Sequence, residues 1–178
     1  MARCISQGIP FLGWTTYPSR VLYVEADTPG VLVKPRLRSL PEPLGPWWIE
    51  CIQDWALDLA NPGQKGFMAL RGLQDACKPE VVFWNTLRSL TRWDLSRGET
   101  VSNVYQTLRM CFPGAAHVIV HHNRKASTDP NATQLPEEDH SGSGAWRDTA
   151  QIVLHLRSRG TTTQTWLSLE HTRPKEAR

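Results

Sequence analysis

Three apolar runs in this chain stop at residues that can do chemistry. Arg20 to Ala26 (RVLYVEA) leads into Glu25 and Asp27. Glu80 to Trp84 (EVVFW) leads into Asn85, and Ala115 to Val120 (AAHVIV) leads into His121 and His122. Carboxylates polarise water and hold cations, an amide both donates and accepts hydrogen bonds, and imidazoles carry protons or bind metals. His117 shares a strand face with His121, so a metal pair is conceivable. No carboxylate stands at ligand spacing, and metal binding there is not expected. Each run is short, continuous and rich in β-branched or aromatic residues, which favours a buried strand. In parallel sheets ligands bind beyond the carboxyl ends of the strands, where these polar residues fall.

The elements that must hold them follow from spacing. Residues 1–20 contain Gly8, Pro10, Gly13 and Pro18 and read as a connector. Asp27-Thr28-Pro29-Gly30 stops the first strand, and a helix is expected to follow through Leu37 to Leu40, with Pro35 awkward inside it. Short strands are expected near Trp48–Ile52 and Ala56–Leu59. Phe67, Leu70, Leu73 and Cys77 recur at helical spacing, which predicts a helix over 64–77. Val101, Val104, Tyr105 and Leu108 predict another, closed by Pro113-Gly114. Asn123 to Gly144 is a long polar loop, and such loops are usually functional or mobile. Gln151–Leu156 and Thr165–Glu170 read as a closing pair of strands. Buried strands alternating with helices predict an α/β protein, a mostly parallel sheet with helices on both faces.

Composition narrows the function classes. The 178 residues suffice for one domain, and 40% hydrophobic with 21% charged residues is ordinary for a globular protein. A net charge of +3 permits an anionic partner without identifying one. Arg173, Lys175 and Arg178 place part of that excess in a basic tail over 174–178 and the residue before it. The four cysteines, at 4, 51, 77 and 111, form no CxxC pair, so neither a zinc ribbon nor a redox motif is supported. Reduced thiols in a cytoplasmic protein are the expectation, with no signal peptide and no membrane partner.

The order of segments resembles that of the RecA-like, ring-forming P-loop ATPases of the RepA hexameric replicative helicase type. The matching stretches are PFLGW at 10–14, RVLYVEAD at 20–27, LDLAN at 57–61, KPEVVFWNTL at 78–87, HVIVHHNRK at 117–125, GSGAWRDTAQIVLHL at 142–156 and LSLEHTR at 167–173. They span nearly the whole chain, so the resemblance implies a partial RecA-like ATPase domain over residues 1–173. It implies ATP and Mg²⁺ as cofactors, a homo-oligomeric ring, and single-stranded DNA as a possible partner. Asp27, with Glu25 as neighbour, matches the carboxylate that activates the attacking water. The alternative for Asp27 is to cap the next helix. Asn85 stands where the family has the aspartate that holds Mg²⁺ through water, and an amide brings no charge to the cation. His121 and His122 match the strand-end histidines that contact the γ-phosphate, and alternation lets one of them reach nucleotide. Arg124 and Lys125 match a pore-facing region that meets DNA phosphates. Arg173 matches an arginine supplied to the neighbouring subunit's site.

No GxxxxGK[ST] phosphate loop occurs in the sequence. The resemblance makes ARCISQGIPFLGW the end of the helix that follows such a loop, so an N-terminally truncated domain is expected. A sheet without its first strand exposes apolar surface, and poor stability or self-association is expected of the 178-residue chain. The functional expectation is a replication-type motor ATPase or a fragment of one. The competing expectation is a RecA-like interaction subunit that does not hydrolyse ATP, and a small DNA-binding protein ranks third because no dense basic stripe exists.

Overall fold

A computed structural model describes residues 1–38, 46–55, 57–121, 145–158 and 165–171. Four strands form one all-parallel sheet: β1 (Val21–Glu25), β2 (Trp47–Cys51), β3 (Val81–Asn85) and β4 (Ala116–Ile119), in the order β2-β1-β3-β4. The chain is therefore an α/β protein with a parallel sheet, as its apolar runs predict. Glu25 of β1 pairs in register with Cys51 on one side and Asn85 on the other.

The helices come from apolar stripes at helical period. In α3 (Gly63–Cys77), Leu70 and Cys77 are buried, and the helix stops at Lys78, whose backbone is left-handed and whose N–H donates to the Gln74 carbonyl. Pro79 then forbids continuation. In α4 (Gly98–Cys111), Val101, Val104, Leu108 and Cys111 form the buried stripe. These residues join Leu22, Val24, Val82 and Trp84 in the principal core, on one face of the sheet. Full burial of each aliphatic side chain contributes about 1.5–3 kcal/mol. The other face carries Val21, Tyr23, Val81, Phe83 and Val118, against which Met1, Ala2 and Ile5 pack.

Two expectations are corrected. Residues 1–20 are not all connector: Ala2–Gln7 form a helix, α1, that ends at Gly8 with φ 67°. A Cβ at Gly8 would lie 2.6 Å from the Pro18 ring, so glycine is required there. The strand expected over Ala56–Leu59 does not form at Leu57–Leu59, and position 56 lies outside the described residues. Leu57 and Leu59 are buried in a turn that the Asp58 carboxylate organises by accepting from the Ala60 N–H and the Thr91 hydroxyl. Apolar residues there signal burial without extended pairing.

Pro35 is accommodated inside α2 (Gly30–Arg38), where it sits exposed on the surface. After α5 (Ala145–Thr149), β5 (Ile152–Ser158) and β6 (Thr165–His171) pair antiparallel, as a two-stranded sheet separate from the parallel one. No helix among the described residues is long and apolar enough to cross a membrane.

Candidate functional site at the strand ends

The apolar run of β1 carries one buried carboxylate, Glu25, at its last position, 5% exposed. A buried carboxylate must be matched by donors, and three supply the match. Its Oε1 accepts the N–H groups of Asp27 and Thr28 at 2.9 Å each, and its Oε2 accepts the Asn85 amide at 2.7 Å. Both oxygens are engaged, one by the turn leaving β1 and one by the neighbouring strand. The backbone continues the closure: Ala26 N–H donates to the Asn85 carbonyl and Ile52 N–H to the Glu25 carbonyl. The Asn85–Thr86 peptide is cis.

Glu25's charge is felt nearby. Burial first, then this carboxylate, pushes the Tyr23 phenol and the Cys51 thiol above their ordinary values. Tyr23 stacks on Phe83 with centroids 5.9 Å apart, lining the same face below the carboxylate.

Asp27 is exposed at the mouth of this arrangement. Its Oδ1 accepts the Ser89 hydroxyl at 2.9 Å, and its carbonyl accepts from the Gln53 amide. The described bond of its carboxylate therefore runs to Ser89, in a short 3₁₀ turn (Leu87–Ser89) after β3, and not to the first turn of α2. Among the described residues Asp27 makes no capping bond to α2, and Glu25 takes the N–H groups of Asp27 and Thr28, which precede that helix. Sequence reasoning does not single out Ser89 or Gln53. The signal available was their position, immediately past the ends of β3 and β2.

His117 and His121 share a face, as strand alternation predicts. His117 faces the principal core, where its Nδ1 accepts the Trp84 indole N–H at 3.1 Å. Burial first, then the Arg109 charge, lowers its pKa to about 4. It is a neutral acceptor inside the core, and the Nδ1 lone pair is used. His121 follows it onto that side, with its ring 6.1 Å from Trp146 of α5, and Trp146 in turn donates to the Leu95 carbonyl inside the principal core. The structure thus brings Glu25, Asn85 and Asp27 together and places His121 on the opposite face. His122, Arg124, Lys125 and Arg173 lie outside the described residues.

Two open concavities, of about 380 and 390 Å³, flank α4, and neither is lined by Glu25, Asp27, Asn85 or His121. Among the described residues no three His, Cys, Asp or Glu side chains are grouped to hold a metal ion. Of the strand-end residues, Glu25 already accepts hydrogen bonds on both oxygens and Asn85 brings no charge, so Asp27 is the carboxylate exposed to a cation there. No protein-family model matches this chain, and no curated protein matches it.

Proposed function

We propose that this chain is a RecA-like subunit of a replication-type, RepA-like ring assembly that does not itself hydrolyse ATP. One observation carries the reading. The carboxylate at the end of β1 is closed by its own chain, with Asn85 acting as donor to Glu25 at 2.7 Å and two backbone N–H groups filling the other oxygen. A catalytic carboxylate needs a lone pair directed at water or at a metal-bound ligand. Glu25 directs its lone pairs inward, so its role is to bind the β1 and β3 ends into one rigid edge. The segment order stated above supports the RecA-like part of the reading, and the parallel sheet is compatible with it.

The motor reading is favoured by a different residue. Asp27 is exposed at the same strand end and held in position by Ser89, which suits a carboxylate that orients water. In that reading the chain is an ATP-dependent helicase-type motor or a piece of one, taking ATP and Mg²⁺, with single-stranded DNA as its track. Titration of the purified chain with a fluorescent ATP analogue and Mg²⁺ separates the two. The non-hydrolysing reading expects no saturable binding up to ~1 mM, a free energy weaker than about 4 kcal/mol. Saturable, Mg²⁺-dependent binding that Asp27→Asn abolishes would install the motor reading instead.

A further inference from the structure

Residues 9–18 (IPFLGWTTYP) contain no charged side chain, in a protein whose residues are 21% charged. They form a loop whose base is pinned. The Thr16 hydroxyl reaches the carbonyls of Cys4 and Ile9 at 2.9 and 2.8 Å, the Ser19 N–H donates to the Ile5 carbonyl, and Gly8 lies against the Pro18 ring. The tip is closed by a reciprocal pair of hydrogen bonds between Phe11 and Trp14, both 2.9 Å. Between them Leu12 and Gly13 have left-handed backbones, φ 51° and 84°. A leucine held there costs on the order of 1 kcal/mol, yet its side chain is 67% exposed, with Trp14 and Tyr17 exposed beside it. An apolar tip on a preformed loop loses little entropy when it is buried by a partner, and exposed aromatic anchors are the usual centres of such contacts.

A receptor of matching character exists on the same chain. The concavity of about 380 Å³ between α3, α4 and the segment at Trp93 is lined by Phe67, Trp93 and Met110 with the amides Asn61, Asn103 and Gln106, and none of its lining residues is charged. Met110 and Trp93 are 52% and 41% exposed. The loop springs from α1, on the Val21–Phe83 face of the sheet, whereas α3 and α4 cover the opposite face. A tip on one face and a hollow on the other make head-to-tail contacts, which close into rings or propagate as filaments.

We propose that the Leu12–Trp14 tip of one copy seats in the Phe67–Trp93–Met110 hollow of the next. The contact needs no nucleotide, so it stands apart from the question of ATP binding; its service in a ring rests on the function proposed above. The test is sedimentation equilibrium of the full chain without nucleotide, with Leu12→Asn and Met110→Lys as variants. Asparagine tolerates the left-handed backbone, so Leu12→Asn removes the tip while keeping the turn, and a thermal melt confirms that it folds.

The parent associates with increasing concentration, and each variant weakens that association by about tenfold or more. A mixture of the two variants regains a one-to-one dimer, because Met110→Lys keeps its tip and Leu12→Asn keeps its hollow. A parent that stays monomeric at every concentration overturns the proposal, and so does an association that either variant leaves unchanged. A monomeric parent that co-sediments with phosphatidylcholine vesicles through Leu12 would assign the tip to a lipid surface instead.

Discussion

The face of the sheet that carries Leu22, Val24, Val82 and Trp84 is sealed by two long helices, whereas the apolar cluster on the face that carries Val21, Tyr23 and Phe83 takes its cover from Met1, Ala2 and Ile5. Glu25 and Asn85 follow the second set in strand alternation, and His117 and His121 follow the first. A single parallel sheet thus turns its part-buried histidines towards the principal core and its carboxylate–amide pair towards the other face. The difference teaches what each group can do. His117 is fixed by burial as an uncharged packing element, while the Glu25–Asn85 pair sits where a few hydrogen bonds, and little apolar area, decide the local structure.

The contrast between the faces is most easily broken by truncation. Trp84→Ala removes a side chain with no exposure whose indole also serves His117, and should cost about 5 kcal/mol by denaturant unfolding. Phe83→Ala, on the thinner face, should cost about 3 kcal/mol, because its partners Tyr23, Val81 and Val118 are only partly buried and can relax. Equal costs would mean that the two faces are packed alike.

Protonation tests the same dense face. His117 titrates near pH 4 in the fold against 6.5 when unfolded, so between those values the unfolded chain binds more protons. Stability should therefore fall as pH drops from about 6.5 towards 4, by up to about 3 kcal/mol. His117→Gln, which keeps an acceptor for Trp84, should flatten that part of the pH–stability curve.

The parallel strands were legible because a strand buried on both faces leaves a continuous apolar run, as in RVLYVEA and EVVFW. α3 and α4 were legible from Leu70–Cys77 and Val101–Leu108 for the equivalent helical reason. The pairing of Glu25 with Asn85 was not. Each was visible as a strand-end polar residue, but their contact depends on β1 lying directly beside β3 in the Glu25↔Asn85 register, across sixty residues of sequence. α1 was obscured because the glycines and prolines of 8–18 dominate its neighbourhood, although Gly8 is itself the helix stop. That His121 and His122 take opposite faces was legible from alternation, but not which face meets the carboxylates; His117, turned to Trp84, puts His121 on the other side.

Smaller effects probe the thin edge. Glu25→Gln keeps the shape but presents an amide N–H to one of three donors, and should cost about 2 kcal/mol. Ser89→Ala removes the exposed bond to Asp27 and should cost about 0.5–1 kcal/mol, with no effect on the His117 part of the pH curve.

Asn85→Asp tests the closed strand end most directly. It replaces the donor facing Glu25 at 2.7 Å with a second carboxylate, and two such groups cannot both ionise cheaply. One carboxyl would then titrate above its unfolded value, so the variant's deficit should reach on the order of 3 kcal/mol at pH 7 and shrink as pH falls towards 4. Urea unfolding at pH 7 and pH 5, with and without Mg²⁺ and ATP, reads this out. The closed strand end predicts a large deficit that is smaller at pH 5 and that Mg²⁺ and ATP leave untouched. A variant as stable as the parent, or one that Mg²⁺ with ATP restores, would contradict it and show that this position is a cation site waiting for its charge.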